Sequence, residues 1–287
     1  MTKKKKRRSK GQIVWSVMFA AALLVLCFSV FQLIKIFLDY KEGTDEYEEL
    51  RQYTAAMEPE QENVTQEVSE SDEEKTISSS ESIPESISES ELIGESVPLP
   101  PLTVDFESLK GINPDVCGWL YIEALEISYP VVQGADNDTY LHTTYEGKSN
   151  YAGSIFMDYQ NSSTLDDCNT IIYGHNMKNL SMFGKLKQIK EQEKYKESIY
   201  FWILTPDENY RYQIYTAFYT EADGDVYTLF SQSGEEFRNY LEQMAGCSGI
   251  PVEVPEFDER SRVVTLSTCA ARDSSQRFVV QGVRTAD

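Results

Sequence analysis

A long apolar run near the amino terminus constrains this chain more than any other feature of its sequence. Between Ile13 and about Leu38 nearly every residue is apolar, and only a few polar residues interrupt the run. A helix of roughly 20 apolar residues spans the hydrocarbon core of a bilayer. The run is longer than the apolar core of a typical signal peptide, and no convincing cleavage site follows it. The sequence therefore predicts one transmembrane helix over residues 13–38.

The charges that flank this helix predict its orientation. Lys and Arg dominate residues 3–10, whereas the segment after the helix begins Asp39-Tyr40-Lys41-Glu42. Cationic flanks stay on the cytoplasmic side of a membrane. We therefore expect residues 1–12 to be a cytoplasmic tail and everything after about residue 39 to lie outside the cytoplasm.

Residues 39–103 have the composition of a spacer. They are rich in Glu and Ser and contain scattered prolines. Such a segment buries too little apolar surface to offset the entropy lost on ordering, and its like charges extend it. The prediction is a disordered acidic stalk, with a short helical continuation of the membrane helix at residues 45–57 as an alternative.

The remaining residues, 104–287, form the predicted folded part. Aromatic residues become frequent here, and apolar residues begin to alternate along the chain. Short runs of this kind, bounded by Gly, Pro, Asn and Asp, are typical of a β-barrel or β-sandwich. The predicted strands are 118–122, 127–132, 153–157, 170–173, 200–205, 210–220, 262–268 and 277–283.

Two helices are expected to cover this β-structure. Ser181 is predicted to cap the first, and Ser233 with Glu236 is predicted to form a capping box for the second. Apolar residues recur at helical spacing after each cap. They are Phe183, Leu186 and Ile189 in the first helix, and Phe237, Tyr240, Leu241 and Met244 in the second.

Net charge and cysteine spacing argue against several classes of protein. A net charge of −21 argues against nucleic acid as the main partner, because binding to its backbone needs a basic surface. The five cysteines contain no CxxC pair, which argues against a zinc ribbon or a thioredoxin-type site. Cys27 falls within the predicted span. Cys117, Cys168 and Cys247 are interpreted as packing residues, and whether they form a disulfide stays open.

Cys269 is the cysteine best placed to act as a nucleophile, because it ends a predicted strand and a polar loop follows it. A reactive thiolate needs a nearby base or cation, and the chain has only 2 histidines. His175 follows Gly174 at a strand end, where a side chain reaches a cleft easily, but a structural role is an equal alternative. His142 lies in a loop or short helix and is interpreted as a surface or structural histidine.

Arg277 opens the strand that follows Cys269, so the two strands can pair and bring both side chains to one end. A guanidinium there could stabilise the thiolate and hold the oxyanion of an acyl intermediate. The alternative for Arg277 is a surface ion pair. A Cys, a His and an Arg at three strand ends suggest acyl transfer, although their spacing alone does not specify it.

Three segments together resemble the signatures of the sortase family. They are Asn169-Thr170-Ile171-Ile172-Tyr173-Gly174-His175-Asn176, Thr265-Leu266-Ser267-Thr268-Cys269 and Arg277-Phe278-Val279-Val280. The resemblance extends over residues 104–287, and the segments 113–116, 118–120 and 153–158 are also similar to this family. The long helix before the cysteine strand resembles the class B branch. A membrane span and a stalk suit a sortase on the outer face of the membrane of a Gram-positive bacterium.

The resemblance implies a mainly β fold, namely a closed eight-stranded barrel with peripheral helices. It implies a cysteine transpeptidase that cleaves a carboxy-terminal sorting signal and joins the new carboxyl, through a thioacyl intermediate, to an amine of the cell wall. No metal or cofactor is required. The roles that carry over are Cys269 as nucleophile, His175 as general acid and base, Arg277 as the holder of substrate and oxyanion, Thr268 as a positioning residue for the substrate carbonyl, and Asn137 and Leu141 as lining of the substrate groove.

The implied partners are secreted surface proteins with sorting signals, the membrane lipid and an amine acceptor, either of the peptidoglycan cross-bridge or of a pilin lysine. Three alternatives stay open. A pilin-polymerising sortase is less favoured, because the stalk lacks an obvious Asp-Pro-Trp-like lid motif. A catalytically silent, membrane-tethered interaction domain is less favoured because the Cys, His and Arg set is intact. A secreted cysteine protease is the least favoured, because no papain-like neighbourhood surrounds a cysteine.

Overall fold

The computed structural model describes residues 10–56, 99–269 and 275–285. Most of the predicted stalk, residues 57–98, lies outside the described residues, as do the first nine residues and the polar loop after Cys269. The assignment of residues 57–98 to a disordered stalk therefore stays a prediction.

The chain enters the structure as one long helix, α1 (Lys10–Leu50). Within the described ranges it is the one helix long and apolar enough to cross a bilayer, and the apolar side chains of that part are exposed. The helix runs on past the predicted end at residue 38. The added turns are rich in glutamate, a good helix former, and Lys41 pairs with Asp45 one turn later at 3.4 Å.

Both ends of the predicted stalk fold onto the domain. Tyr47 and Leu50, in the last turn of α1, are buried. After a 3₁₀ turn, β1 (Thr54–Ala56) pairs antiparallel with β2 (Leu102–Val104). The predicted stalk boundaries at residues 39 and 103 are therefore wrong at both ends, and the helical alternative for residues 45–57 is nearer to the structure. The reason is that a few apolar residues among the glutamates pack on the barrel.

A short helix leads from this small sheet into the barrel. It is α2 (Phe106–Ile112), and Asp105 caps it by accepting the Ser108 N–H at 3.0 Å. Leu109 on its inner face is fully buried. The cap and the buried leucine together fix where the barrel begins.

Eight strands close into a barrel, as the resemblance to the sortase family implies. They are β3 (Val116–Ile122), β4 (Ile127–Val132), β5 (Ile155–Met157), β6 (Asn169–His175), β7 (Tyr200–Leu204), β8 (Asn209–Glu221), β9 (Val263–Cys269) and β10 (Gln276–Arg284). Around the barrel the order is β10-β8-β7-β3-β4-β5-β6-β9, and β9 pairs with β10 to close it. The pairs β4–β5 and β6–β9 are parallel, and the other pairs are antiparallel.

Large aromatic side chains fill the barrel interior. Trp119, Phe201 and Tyr212 are fully buried, and the last two rings stack with centroids 5.1 Å apart. Gly282 in β10 makes room for them, since a Cβ there would clash with Cε1 of Phe201. Any larger residue at position 282 would displace that ring from the packed core.

The second predicted helix is confirmed as α4 (Glu235–Gly246), and its four predicted core residues are buried. The predicted capping box is wrong. Gly234 occupies the cap position and no side chain caps the helix. Packing of the apolar face against the outside of the barrel therefore holds α4 without that cap.

The first predicted helix is broken into a 3₁₀ turn at Phe183–Lys185 and the one-turn helix α3 (Gln188–Glu191). Ser181 does not cap it, because its hydroxyl donates to Asn179 at 2.7 Å and Met182 takes a positive φ of 52°. Phe183, Leu186 and Ile189 are nevertheless fully buried, as their spacing predicts. Burial of these three residues overrides regular helix geometry here.

Candidate active site

The parallel pair β6–β9 brings two of the predicted site residues side by side. In its register His175 lies directly opposite Cys269, and each of the two residues ends its strand. Between them along the chain lie β7, β8 and α4. Pairing of β6 with β9 therefore brings His175 close to Cys269, although the two residues are far apart in the sequence.

Arg277 is the next residue in the same row. β10 pairs antiparallel with β9, with Val279 opposite Ser267, and the Phe278 N–H donates to Thr268 Oγ1 at 2.9 Å. One step further in this register sets Arg277 beside Cys269. Residues opposite one another on neighbouring strands lie on the same face of a sheet. Positions 175, 269 and 277 thus form one row across β6, β9 and β10.

The His175 ring is buried and oriented by a backbone carbonyl. Its Nε2 lies 2.7 Å from the carbonyl oxygen of Leu141. A carbonyl oxygen only accepts, so Nε2 carries the hydrogen and Nδ1 carries the lone pair of the neutral ring. Burial lowers the pKa of His175 below its usual value, and the nearby His142 and Arg277 lower it further, while the carbonyl of Leu141 opposes them.

Two further rings surround His175. His142 stacks on it with ring centroids 5.5 Å apart and planes at 25°, and the Tyr151 ring lies 5.3 Å away. His142 and Tyr151 also stack on each other at 6.1 Å. These rings restrict the imidazole to one plane and shield it from water.

A cavity of about 800 Å³ opens over this row. Its lining includes Asn137, Leu141, His142, Tyr151, Tyr173, His175, Tyr227 and Arg277. Nη1 of Arg277 is buried and has no hydrogen-bond partner within the described ranges. A buried guanidinium donor without a partner costs free energy, so this one is available to an oxygen atom of a bound ligand.

Comparison with known proteins identifies the family of this chain. Residues 120–285 match the family model of the sortase domain. The chain belongs to the sortase family. Members of this family are cysteine transpeptidases, and they act on sorting-signal substrates and cell-wall precursors. The chain is therefore a sortase-type cysteine transpeptidase, and its fold is the closed eight-stranded sortase barrel.

The relatives of this sortase belong to class B. Sortase B of Listeria monocytogenes is 36% identical over 182 residues, which cover 62% of this chain and 73% of the relative. The X-ray structure of Clostridium perfringens sortase B is 31% identical with a TM-score of 0.59, and the match covers 63% of this chain and 100% of that one. A Streptococcus pyogenes class B sortase involved in pilus biogenesis is 29% identical with a TM-score of 0.57, and the match covers 63% of this chain and 98% of that one.

The residues predicted to bind substrate fall into two groups in this sortase. Asn137 and Leu141 line the cavity. The Asn137 amide is held in place, since it donates to Asp158 at 2.8 Å and accepts the Tyr159 N–H at 3.1 Å. Thr268 is buried, and its hydroxyl accepts from the backbone of β10. Successive residues of a strand face opposite sides, so Thr268 lies on the face away from the row of positions 175, 269 and 277.

Sequence reasoning assigned no role in the cavity to several residues that line it. His142 is exposed, as a surface histidine would be, yet it lies against His175 inside the cavity. Tyr151, Tyr173 and Tyr227 line the same cavity, and the last two rings stack at 6.4 Å. A loop without strand or helix periodicity carries His142 and Tyr151. The glycines at positions 147 and 153, which take positive φ angles in the structure, are a local sequence signal that this loop turns sharply.

Proposed function

We propose that this sortase is anchored in the membrane by α1 and joins surface proteins that carry a sorting signal to an amine of the cell wall. The observation that carries the proposal is the row of positions 175, 269 and 277, in which the side chains of His175 and Arg277 line one cavity. The three residues have the chemistry that acyl transfer needs: a thiol nucleophile, a proton carrier and a cationic donor. In this scheme Cys269, His175 and Arg277 are the catalytic residues.

The first half-reaction forms a thioester. The thiolate of Cys269 attacks the carbonyl carbon of a Thr in the sorting signal, and the carbonyl electron pair moves to oxygen. When the tetrahedral intermediate collapses, the C–N bond breaks and imidazolium His175 gives its Nδ1 proton to the leaving amine. Nδ1 is the nitrogen that exchanges this proton, because Nε2 is committed to the carbonyl of Leu141.

The second half-reaction regenerates the enzyme. The acceptor amine attacks the thioester carbonyl, its proton passes to Nδ1 of neutral His175, and the C–S bond breaks to release the thiolate. During both halves Nη1 of Arg277 donates to the oxyanion, since it is buried without another partner in the described part of the chain. The planar guanidinium can offer two parallel donors to one substrate.

The helix α1 limits the distance between the site and the membrane. The basic flank holds the amino terminus in the cytoplasm, and α1 continues from the bilayer into the domain without a break. Residues 39–50 extend this helix by about 18 Å at 1.5 Å per residue. The domain is thus held close to the outer membrane surface.

The proposal is tested by trapping the acyl-enzyme. The full chain in detergent is incubated with a panel of sorting-signal peptides, and intact-mass spectrometry follows the protein. We expect the mass of the amino-terminal peptide fragment to be added at Cys269 and then released by an amine acceptor or by hydroxylamine. A panel that leaves the protein mass unchanged would instead support the silent interaction domain.

The acceptor distinguishes wall anchoring from pilin polymerisation. The Streptococcus pyogenes relative is involved in pilus biogenesis, so a class B barrel is compatible with either role. Offering the acyl-enzyme a cross-bridge peptide and a lysine-containing pilin peptide in equal amounts decides between them. We expect the cross-bridge amine to win, and preferential transfer to the pilin lysine would reverse the assignment.

Replacing Arg277 with lysine should reduce kcat/KM roughly 10²- to 10³-fold, the cost typical of losing an oxyanion donor. An ammonium is a point charge and cannot reproduce the guanidinium fork. The measurement is steady-state transpeptidation with the matched control Arg262→Lys, because Arg262 precedes β9 and does not line the cavity. If Arg277→Lys and Arg262→Lys behave alike, Arg277 does not hold the oxyanion.

A further inference from the structure

The end of the membrane helix contacts the loop that lines the catalytic cavity. This loop, residues 141–154, folds back on itself, with a bridge between Thr143 and Ser149 and a turn at Gly147. Its cavity side carries Leu141, His142 and Tyr151. Its other side faces α1. The loop therefore lies between this part of α1 and the His175 ring.

Tyr47 of α1 makes hydrogen bonds to this loop. Its hydroxyl donates to the carbonyl of Gly153 at 2.7 Å and accepts the N–H of Tyr145 at 3.3 Å. The side chain is 4% exposed, and its ring packs edge-on against Tyr129 with centroids 5.4 Å apart. Tyr47 thus joins the loop to the barrel wall through both its ring and its hydroxyl.

Glu46 makes a second, charged connection one residue earlier. Its Oε1 accepts the N–H of Glu146 at 3.0 Å, and its Oε2 lies 3.5 Å from Nζ of Lys148. The side chain is only 2% exposed. A carboxylate buried to this degree is costly unless it is paired, and both of these partners belong to the loop. A shift of the loop would therefore disrupt both contacts of the Glu46 carboxylate.

One face of α1 makes all of these contacts. Gly43 lies three residues before Glu46 and four before Tyr47, the spacing of one helical face. A Cβ at Gly43 would lie 3.2 Å from Oδ1 of Asn150, so the helix approaches the loop closely there. The contact therefore spans more than one turn of α1.

The far side of the same loop holds the His175 imidazole. The carbonyl of Leu141 accepts from Nε2 at 2.7 Å, and the rings of His142 and Tyr151 pack against it. Arg277 and the backbone of Cys269 face His175 from β10 and β9. A shift of the loop would therefore change the ring's hydrogen bond and its exposure to water together.

We propose that Glu46 and Tyr47 are positioning residues, through which the membrane helix holds loop 141–154 against His175. The proposal deepens the proposed function, because it assigns a purpose to the helix beyond anchoring. In this arrangement the end of α1 supports the loop that contacts His175, so the membrane anchor helps to position the active site. Neither residue touches substrate in this arrangement, and both act through the loop.

The test measures the ionisation of His175 directly. The chain has only 2 histidines, so histidine-selective ¹³C labelling of the full chain in detergent gives two titrating ring signals, and His142→Gln assigns them. The variants are Glu46→Ala, Glu46→Gln and Tyr47→Phe. The matched control is Glu48→Gln, which removes an exposed carboxylate that pairs with Arg51 at 3.6 Å on the same helix.

We expect Tyr47→Phe and Glu46→Ala to raise the pKa of His175 toward its usual value, because a loosened loop admits water to the ring. Glu46→Gln keeps an acceptor for the Glu146 N–H and should fall between wild type and Glu46→Ala. Glu48→Gln should leave the titration unchanged. In transpeptidation, Tyr47→Phe and Glu46→Ala should raise KM several-fold, while kcat changes less.

A purely structural contact would give a different pattern. Lower thermal stability with an unchanged His175 titration and an unchanged KM would overturn the proposal, as would an equal effect of Glu48→Gln. If Glu46→Ala fails to fold, the conservative variants Glu46→Gln and Tyr47→Phe decide the question. The titration of His175 does not depend on turnover. An inactive wild type would therefore refute the proposed function, and the titration would still show whether Glu46 and Tyr47 position the loop.

Discussion

Replacing Cys269 with alanine should abolish peptide transfer, with a loss of at least about 10⁴-fold in kcat. Without the sulfur there is no thioester, and the cavity that remains can only bind and polarise the substrate. Steady-state transfer and intact-mass spectrometry measure the loss, because the variant should gain no acyl mass from any peptide of the panel. Retained turnover would end the assignment of Cys269 as the nucleophile.

The other cysteines provide the controls for this prediction. Burial raises the pKa of the Cys117 thiol to about 12, and burial also raises the pKa of Cys168. Thiols of this kind are poor nucleophiles near neutral pH. Cys247 is exposed at the end of α4, so Cys247→Ala removes an accessible thiol outside the cavity and should leave transfer at the wild-type rate. Equal losses in Cys269→Ala and Cys247→Ala would point to a general thiol effect.

Replacing His175 with alanine should lower transfer by about 10²- to 10⁴-fold, the usual range for a general acid and base. The leaving amine then departs without a proton, and no imidazolium stabilises the thiolate. The pH at which Cys269 becomes alkylated by iodoacetamide should therefore rise in the variant. Rates of alkylation measured across pH, with mass spectrometry to locate the label, follow this change.

His142→Ala is the matched control, since it removes the other imidazole from the same cavity. His142 stacks on His175, but it is His175 that the strand register sets opposite Cys269, so we expect a loss of less than tenfold. An effect of His142→Ala as large as that of His175→Ala would mean that the two histidines exchange the proton between them. The assignment of a single proton carrier would then be wrong.

The eight strands were predictable because their signal is local. Alternating apolar residues bounded by turn residues mark each of them, and the observed ends differ from the predicted ones by a few residues. The buried face of α4 was predictable for the same reason. The caps were not, since Ser181 and Ser233 have the right residue type but turn geometry places Met182 and Gly234 at the cap positions.

The candidate site was predictable only in part. The closeness of Arg277 to Cys269 follows from a short connection between consecutive antiparallel strands. The closeness of His175 to Cys269 depends on a parallel pair whose strands are separated by most of the domain. No local pattern records such a pairing, so this prediction rested on the resemblance to a family. Thr268 shows the opposite case, where a residue next to the nucleophile faces the other side of the sheet.

The composition of the last turns of α1 gave no sign that they pack against the domain. Glutamate-rich segments are normally solvated. Burying the Glu46 carboxylate costs free energy, and contacts with Glu146 and Lys148 of a distant loop offset that cost. The same holds for His142, whose place in the cavity depends on how the loop turns at Gly147 and Gly153.

Residue order alone therefore specified a membrane-length helix, the set of barrel strands and the residue types for acyl transfer, because periodicity and composition act over a few neighbouring residues. The closed register decided which strand ends meet, and the docking of α1 decided which loop is held over the histidine. Both depend on contacts between segments far apart in the chain, and those contacts are selected by packing of the whole barrel rather than by any local preference.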